Sequence, residues 1–206
     1  MRYFKRIFLV VIITAVSCFS VKAETTIEEL FFDNSKPYHL KILDVIPKNG
    51  IVQIGDSNAK NTIIEFMDYF CGYCKKVHPE LLQIAEERND TTLVFLQHPI
   101  LSESSKLLAN MVVAANMQGK GTEFHNALFS IEGNLNNAKL QQIVENLEIN
   151  SAKLNIDMTK DEVKNIIKLS SFMANGSGAR GTPTFFINEE FVVGYISIEK
   201  IKSLLK

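Results

Sequence analysis

Glu65-Phe66-Met67-Asp68-Tyr69-Phe70-Cys71-Gly72-Tyr73-Cys74 decides the reading of this chain. The apolar run Thr62 to Met67 reads as a strand, and Lys75 to Arg88 follows the spacing of an amphipathic helix. The C-x-x-C therefore lies at a strand-to-helix junction, with Cys71 at or near a helix N-terminus. Free N–H groups and the positive end of the helix dipole favour a thiolate there. The thiolate is the form that attacks disulfides. Cys74, three residues on, is within bonding reach on the same turn, so the pair can cycle between dithiol and disulfide.

The cysteine inventory sharpens this. Of three cysteines, Cys18 lies in a segment with the features of an export signal. Arg2, Lys5 and Arg6 form a positive start, Ile7 to Ser20 is an uncharged apolar stretch of 14 residues, and Val21-Lys22-Ala23 fits a small-x-small cleavage rule. The stretch is short against the ~20 residues of a membrane span. Residues 1–23 are therefore expected to be a cleaved signal peptide, with an uncleaved anchor or lipidation at Cys18 as alternatives. Cleavage removes Arg2, Lys5, Arg6 and Lys22, taking the formal charge from −1 to about −5. Neither value offers a bulk electrostatic case for nucleic acid. The mature chain keeps only Cys71 and Cys74. A four-residue disulfide loop removes little unfolded-state entropy, so the pair reads as chemical rather than structural.

Outward from the motif, residues 24–50 read as an N-terminal arm with apolar Ile27, Leu30, Phe31 and Phe32, a break at 33–37 and a turn at Asn49-Gly50. Strands are expected over 51–55, 62–68 and 91–97, with Pro79 kinking the helix between the last two. From Ser102 to about Asn175 the periodicity is helical, with breaks or caps at Asn150-Ser151 and Asp157 to Thr159. Pro183 to Ile187 and Phe191 to Val193 form a strand-turn-strand, and Ile198 to Leu205 a terminal helix.

These features together resemble the DsbA family of exported thiol-disulfide oxidoreductases. The resemblance covers about residues 51–206 and rests on Glu65 to Cys74, His98-Pro99-Ile100-Leu101, Gly181-Thr182-Pro183-Thr184-Phe185 and Gly194. It implies an α/β, thioredoxin-like fold with an inserted helical domain, here roughly 102–175. It further implies Cys71 as attacking thiolate and Cys74 as the resolving cysteine. Thr182 and a cis Pro183 are implied as the strand-like edge that pairs with bound peptide, and Glu65 as a carboxylate moving protons for the inner cysteine. An ordinary strand-edge glutamate is the plainer reading of Glu65.

Gly72-Tyr73 and Thr182 resemble DsbC-type isomerases more than the strongest oxidases, which often carry Pro-His between the cysteines. The 27 residues of 24–50 are too few for a DsbC-type dimerisation domain, so the expectation is a monomeric oxidase in the periplasm. Its implied partners are exported proteins with cysteines and a membrane redox partner, DsbB-type for an oxidase or DsbD-type for an isomerase. A non-catalytic binding module on the same scaffold is the rival class. No cofactor is expected. Haem attachment needs a histidine after the second cysteine, where Lys75 stands, and Cys71, Cys74 and His78 lack a second cysteine pair to close a zinc shell. His39 and His125 read as isolated surface or core residues, and His98 as structural.

Overall fold

The computed structural model describes residues 36–206. Residues 1–23, expected as a signal peptide and including Cys18, lie outside that range, as do Phe31 and Phe32. The first described element is a helix that sequence patterning left unassigned, α1 (Tyr38–Val45), which opens after Pro37 and is followed by a 3₁₀ turn, Lys48–Gly50. Five strands then form one sheet: β1 (Ile51–Ile54), β2 (Asn61–Met67), β3 (Thr91–Gln97), β4 (Thr184–Ile187) and β5 (Glu190–Val193). Their order is β1-β3-β2-β4-β5. Only the β2/β3 pair is parallel, joined by the crossover helix α2 (Gly72–Glu87). The helix runs on through Pro79, whose missing N–H forfeits one helical bond.

Between β3 and β4 stand five helices, α3 (Glu103–Asn116), α4 (Gly121–Phe129), α5 (Asn137–Asn146), α6 (Ser151–Asp157) and α7 (Asp161–Gly176). They occupy the expected helical insertion. Ser102, Asn136 and Asn150 cap three of them, each side-chain oxygen accepting the N–H three residues on. A terminal helix, α8 (Ile198–Leu204), completes the fold.

Central strand β2 is buried along its whole length, as both of its neighbours and both of its faces require. Strand periodicity splits its side chains. Ile63 and Met67 face a core shared with Cys74, Val77 and Leu81 of α2 and Ile201 of α8. Ile64 and Phe66 face the other way, onto Ile42 and Ile46 from α1 and the following turn, and Met173 of α7. The described part of the N-terminal arm thus packs on its own sheet. Asn188 forms the β4–β5 turn at φ 53, a left-handed conformation that asparagine tolerates. Its side chain accepts from Thr62 N–H at 3.0 Å and donates to Asn61 Oδ1 at 3.1 Å, pinning the hairpin to β2.

Candidate functional site

Strand β2 delivers the chain into a turn built by Asp68. Its backbone carbonyl accepts from Cys71 N–H at 3.0 Å and its Oδ1 from Phe70 N–H at 2.9 Å. Its Oδ2 accepts the N–H groups of both Ile100 and Leu101, each at 3.0 Å. One buried carboxylate therefore fastens the turn after β2 to the loop after β3, and Cys71 becomes the N-cap of α2.

Cys71 is 8 % exposed and Cys74, in the first turn of α2, is fully buried. Both are free thiols. The Cys71 thiol donates to the Thr182 carbonyl at 3.1 Å. The Thr182–Pro183 bond is cis, and Gly194 N–H, at φ 85, donates to the Pro183 carbonyl at 2.8 Å. That positive φ is the reason for a glycine at this place. Chain segments 111 residues apart meet at one sulfur.

The two sulfurs are electrostatically unequal. Hydrogen bonding from the Cys74 thiol is the largest influence on Cys71 and pulls its pKa down to about 5, against the opposing effect of burial. The Thr182 side chain and the amides of Cys74 and Tyr73 add to the lowering. The Thr182 hydroxyl makes no bond at strict geometry, yet stands close enough to favour the thiolate. Cys74 is pushed strongly upward, first by burial, then by its bond to Cys71 and the negative charge of Glu65. A proton leaves the outer sulfur easily and the inner one only with difficulty.

Glu65 lies on the same face of β2 as Ile63 and Met67, two residues either side, and is 1 % exposed. Burial raises its pKa to about 8, tempered by the nearby Cys74 thiol. Neither carboxyl oxygen makes a well-formed hydrogen bond. A carboxyl titrating near neutral pH beside a sulfur that is hard to deprotonate can accept and return that proton.

All five residues singled out from the sequence, Cys71, Cys74, Glu65, Thr182 and Pro183, thus converge on one place. Two others were missed. Asp68 is quoted within the motif without a role; a buried carboxylate just after an apolar strand is the signal that marks it. Tyr69 closes one side of a cleft of about 190 Å³ beside Cys71, whose other walls include Leu108, Leu128 and Ile131 from the insertion. Lys75 donates to the Ile131 carbonyl across this cleft. The histidines are core residues: His78 stacks on Phe129 at 4.6 Å, and His98 N–H donates to Met67 O at 2.8 Å. Burial lowers the His78 pKa to about 4.

A family model described as Thioredoxin matches residues 48–206, and the chain belongs to that family. A thioredoxin-like oxidoreductase from Silicibacter pomeroyi DSS-3 superposes with a TM-score of 0.70 at 29% identity, over 75% of this chain and 90% of that one. The thiol-disulfide exchange protein alpha-DsbA2 from Wolbachia pipientis gives 0.70 at 24% identity, over 81% and 91%. A periplasmic thioredoxin-like protein from Salmonella enterica serovar Typhimurium shares the fold at 21% identity and a TM-score of 0.70, over 80% and 93%. The chain thus shares its fold with thioredoxin-like oxidoreductases.

Among curated proteins the chain is 24% identical over 151 residues to a Na(+)/H(+) antiporter NhaA 3 from Salinispora tropica. That match takes in 72% of this chain and 23% of the antiporter, so the chain spans under a quarter of the length of this curated relative. Among the described residues no helix is long and apolar enough to cross a membrane.

Proposed function

We propose that this protein forms disulfides in exported, cysteine-containing proteins of the periplasm. The single observation that carries the reading is the inequality of the two sulfurs: Cys71 at a helix N-cap with its pKa drawn down to about 5, and Cys74 buried behind it with its pKa pushed up. In the oxidised enzyme a substrate thiolate attacks Cys71 Sγ. The Cys71–Cys74 bond breaks and Cys74 leaves as a thiolate that takes up a proton, for which the neighbouring Glu65 carboxyl is the source. A second substrate thiolate then attacks the substrate sulfur, releasing Cys71 as the stable thiolate. Two electrons pass from the substrate dithiol to the enzyme, and a DsbB-type membrane partner removes them. Thr182 and Pro183 present backbone beside Cys71 for the substrate chain to pair with.

The low Cys71 pKa favours the reduced enzyme, which makes its disulfide an oxidant. Export is supported by the signal-like residues 1–23, and a monomer by the packing of α1 onto its own sheet. Gly72-Tyr73 and Thr182 favour a second reading, a DsbC-type isomerase kept reduced by a DsbD-type partner. Trapping the cell's redox state with acid and an alkylating probe separates them. An oxidase holds Cys71 and Cys74 mostly oxidised at steady state, and a mostly reduced pair would overturn the oxidase reading.

A further inference from the structure

One part-buried hydrogen bond ties the helical insertion to the active-site turn. Tyr69, two residues before Cys71, meets His125 of α4 with 2.8 Å between Oη and Nδ1. Gln97 at the end of β3 donates from Nε2 to the same Oη at 3.3 Å. Gln97 supplies an N–H to that oxygen, and the phenol proton is then available to His125 Nδ1 in the ring's Nε2–H tautomer. Burial and the neighbouring His78 keep the ring neutral. His125 is fully buried, and its ring packs edge-on against Tyr69 at 5.6 Å and against Phe129 at 5.0 Å. Its orientation is therefore set by packing and not by solvent.

The bond has a consequence for the cleft beside Cys71. Tyr69 stands on one side of that cleft, and Leu128, three residues along α4 from His125, stands on another. The hydrogen bond joins the two walls. We propose that the Tyr69–His125 bond sets the width of this cleft, making His125 a positioning residue for the peptide that reaches Cys71. His125 touches no reacting atom; it acts through Tyr69. The inference rests on the reading of Cys71 as the attacked sulfur.

The test compares Tyr69→Phe, which removes only the hydroxyl, with His125→Asn, whose Oδ1 can accept the same phenol proton. Tyr69→Phe is expected to raise KM for a reduced cysteine peptide about fivefold with kcat nearly unchanged, because binding is loosened while the chemical step is not. His125→Asn is expected to stay within about twofold of the parent, a rescue that packing alone does not provide. A second readout needs no catalysis: the rate of Cys71 modification by a bulky aromatic maleimide relative to iodoacetamide. Tyr69→Phe should raise that ratio about threefold, while the pH midpoint of iodoacetamide modification stays put. An unchanged KM and ratio in Tyr69→Phe, or a shifted midpoint, overturns the proposal. A parent protein without exchange activity instead overturns the reading of the site, and the reagent ratio still judges the hydrogen bond.

Discussion

The Cys71 thiol lies 3.1 Å from the Thr182 carbonyl, so the strand-to-helix junction and the cis-proline loop act on one sulfur. The Thr182 side chain contributes to holding the Cys71 pKa at about 5. Replacing Thr182 by Val keeps the backbone carbonyl and the branched shape and removes the hydroxyl. The Cys71 midpoint should rise by about one unit, read as the pH dependence of iodoacetamide alkylation or thiolate absorbance. An unmoved midpoint would leave the amides and Cys74 as the only donors that matter.

The reduced protein should be more stable than the oxidised one at neutral pH. Cys71 has its folded pKa depressed from 9.0 to about 5. That contribution is fully present above the unfolded value and is lost as pH falls through about 5. It exists only in the reduced form, whereas desolvation, the main cause of the raised Glu65 pKa, is common to both. The stability gap, measured by chemical denaturation of each redox form, should therefore widen from pH 5 to pH 9 and close in acid. An oxidised form that is more stable at pH 7 would contradict the oxidant poise.

Glu65 has the opposite sign. Its pKa is raised from 4.5 to about 8, so its burial costs nothing below pH 4.5 and progressively more as pH climbs to 8. Glu65→Gln should gain stability over the parent across that interval. The same variant should slow the Cys74-dependent steps by about 10²-fold, as expected on losing a general acid–base group. A variant with parental exchange rates would reduce Glu65 to a strand residue.

Asp68 accepts three amide N–H groups with its carboxylate. Asp68→Ala leaves them buried or rearranged and should cost about 3 kcal/mol in urea denaturation. A loss below about 1 kcal/mol would mean the turn and the 98–101 loop hold together without it.

Much of this site was legible before folding. The C-x-x-C declared its place because an apolar strand pattern gives way to helical spacing at Cys71. The two-residue period of β2 put Glu65 with Ile63 and Met67, and those residues share a core with Cys74. The insertion was legible because five helices repeat the same apolar spacing between their caps. Contacts between distant segments were not. The Asp68 bonds to Ile100 and Leu101 exist because parallel pairing brings the ends of β2 and β3 together, and local patterning carries no register. His125 looked like an isolated surface or core residue because its partner, Tyr69, is 56 positions away. Helix α1 escaped because it spans eight residues, too short for its apolar face to stand out, and owes its order to the sheet beneath.

The most direct test of the central claim is the fate of the two reduced cysteine variants during exchange with a peptide homodimer linked by a disulfide, where attack by a protein thiolate releases one peptide thiol, followed by non-reducing mass spectrometry. Cys71→Ser should lose exchange outright. Cys74→Ser should accumulate a mixed disulfide between Cys71 and the peptide, since attack survives and resolution does not. Full activity in Cys71→Ser, or a mixed disulfide formed through Cys74 in its place, would contradict the assignment of the attacking sulfur.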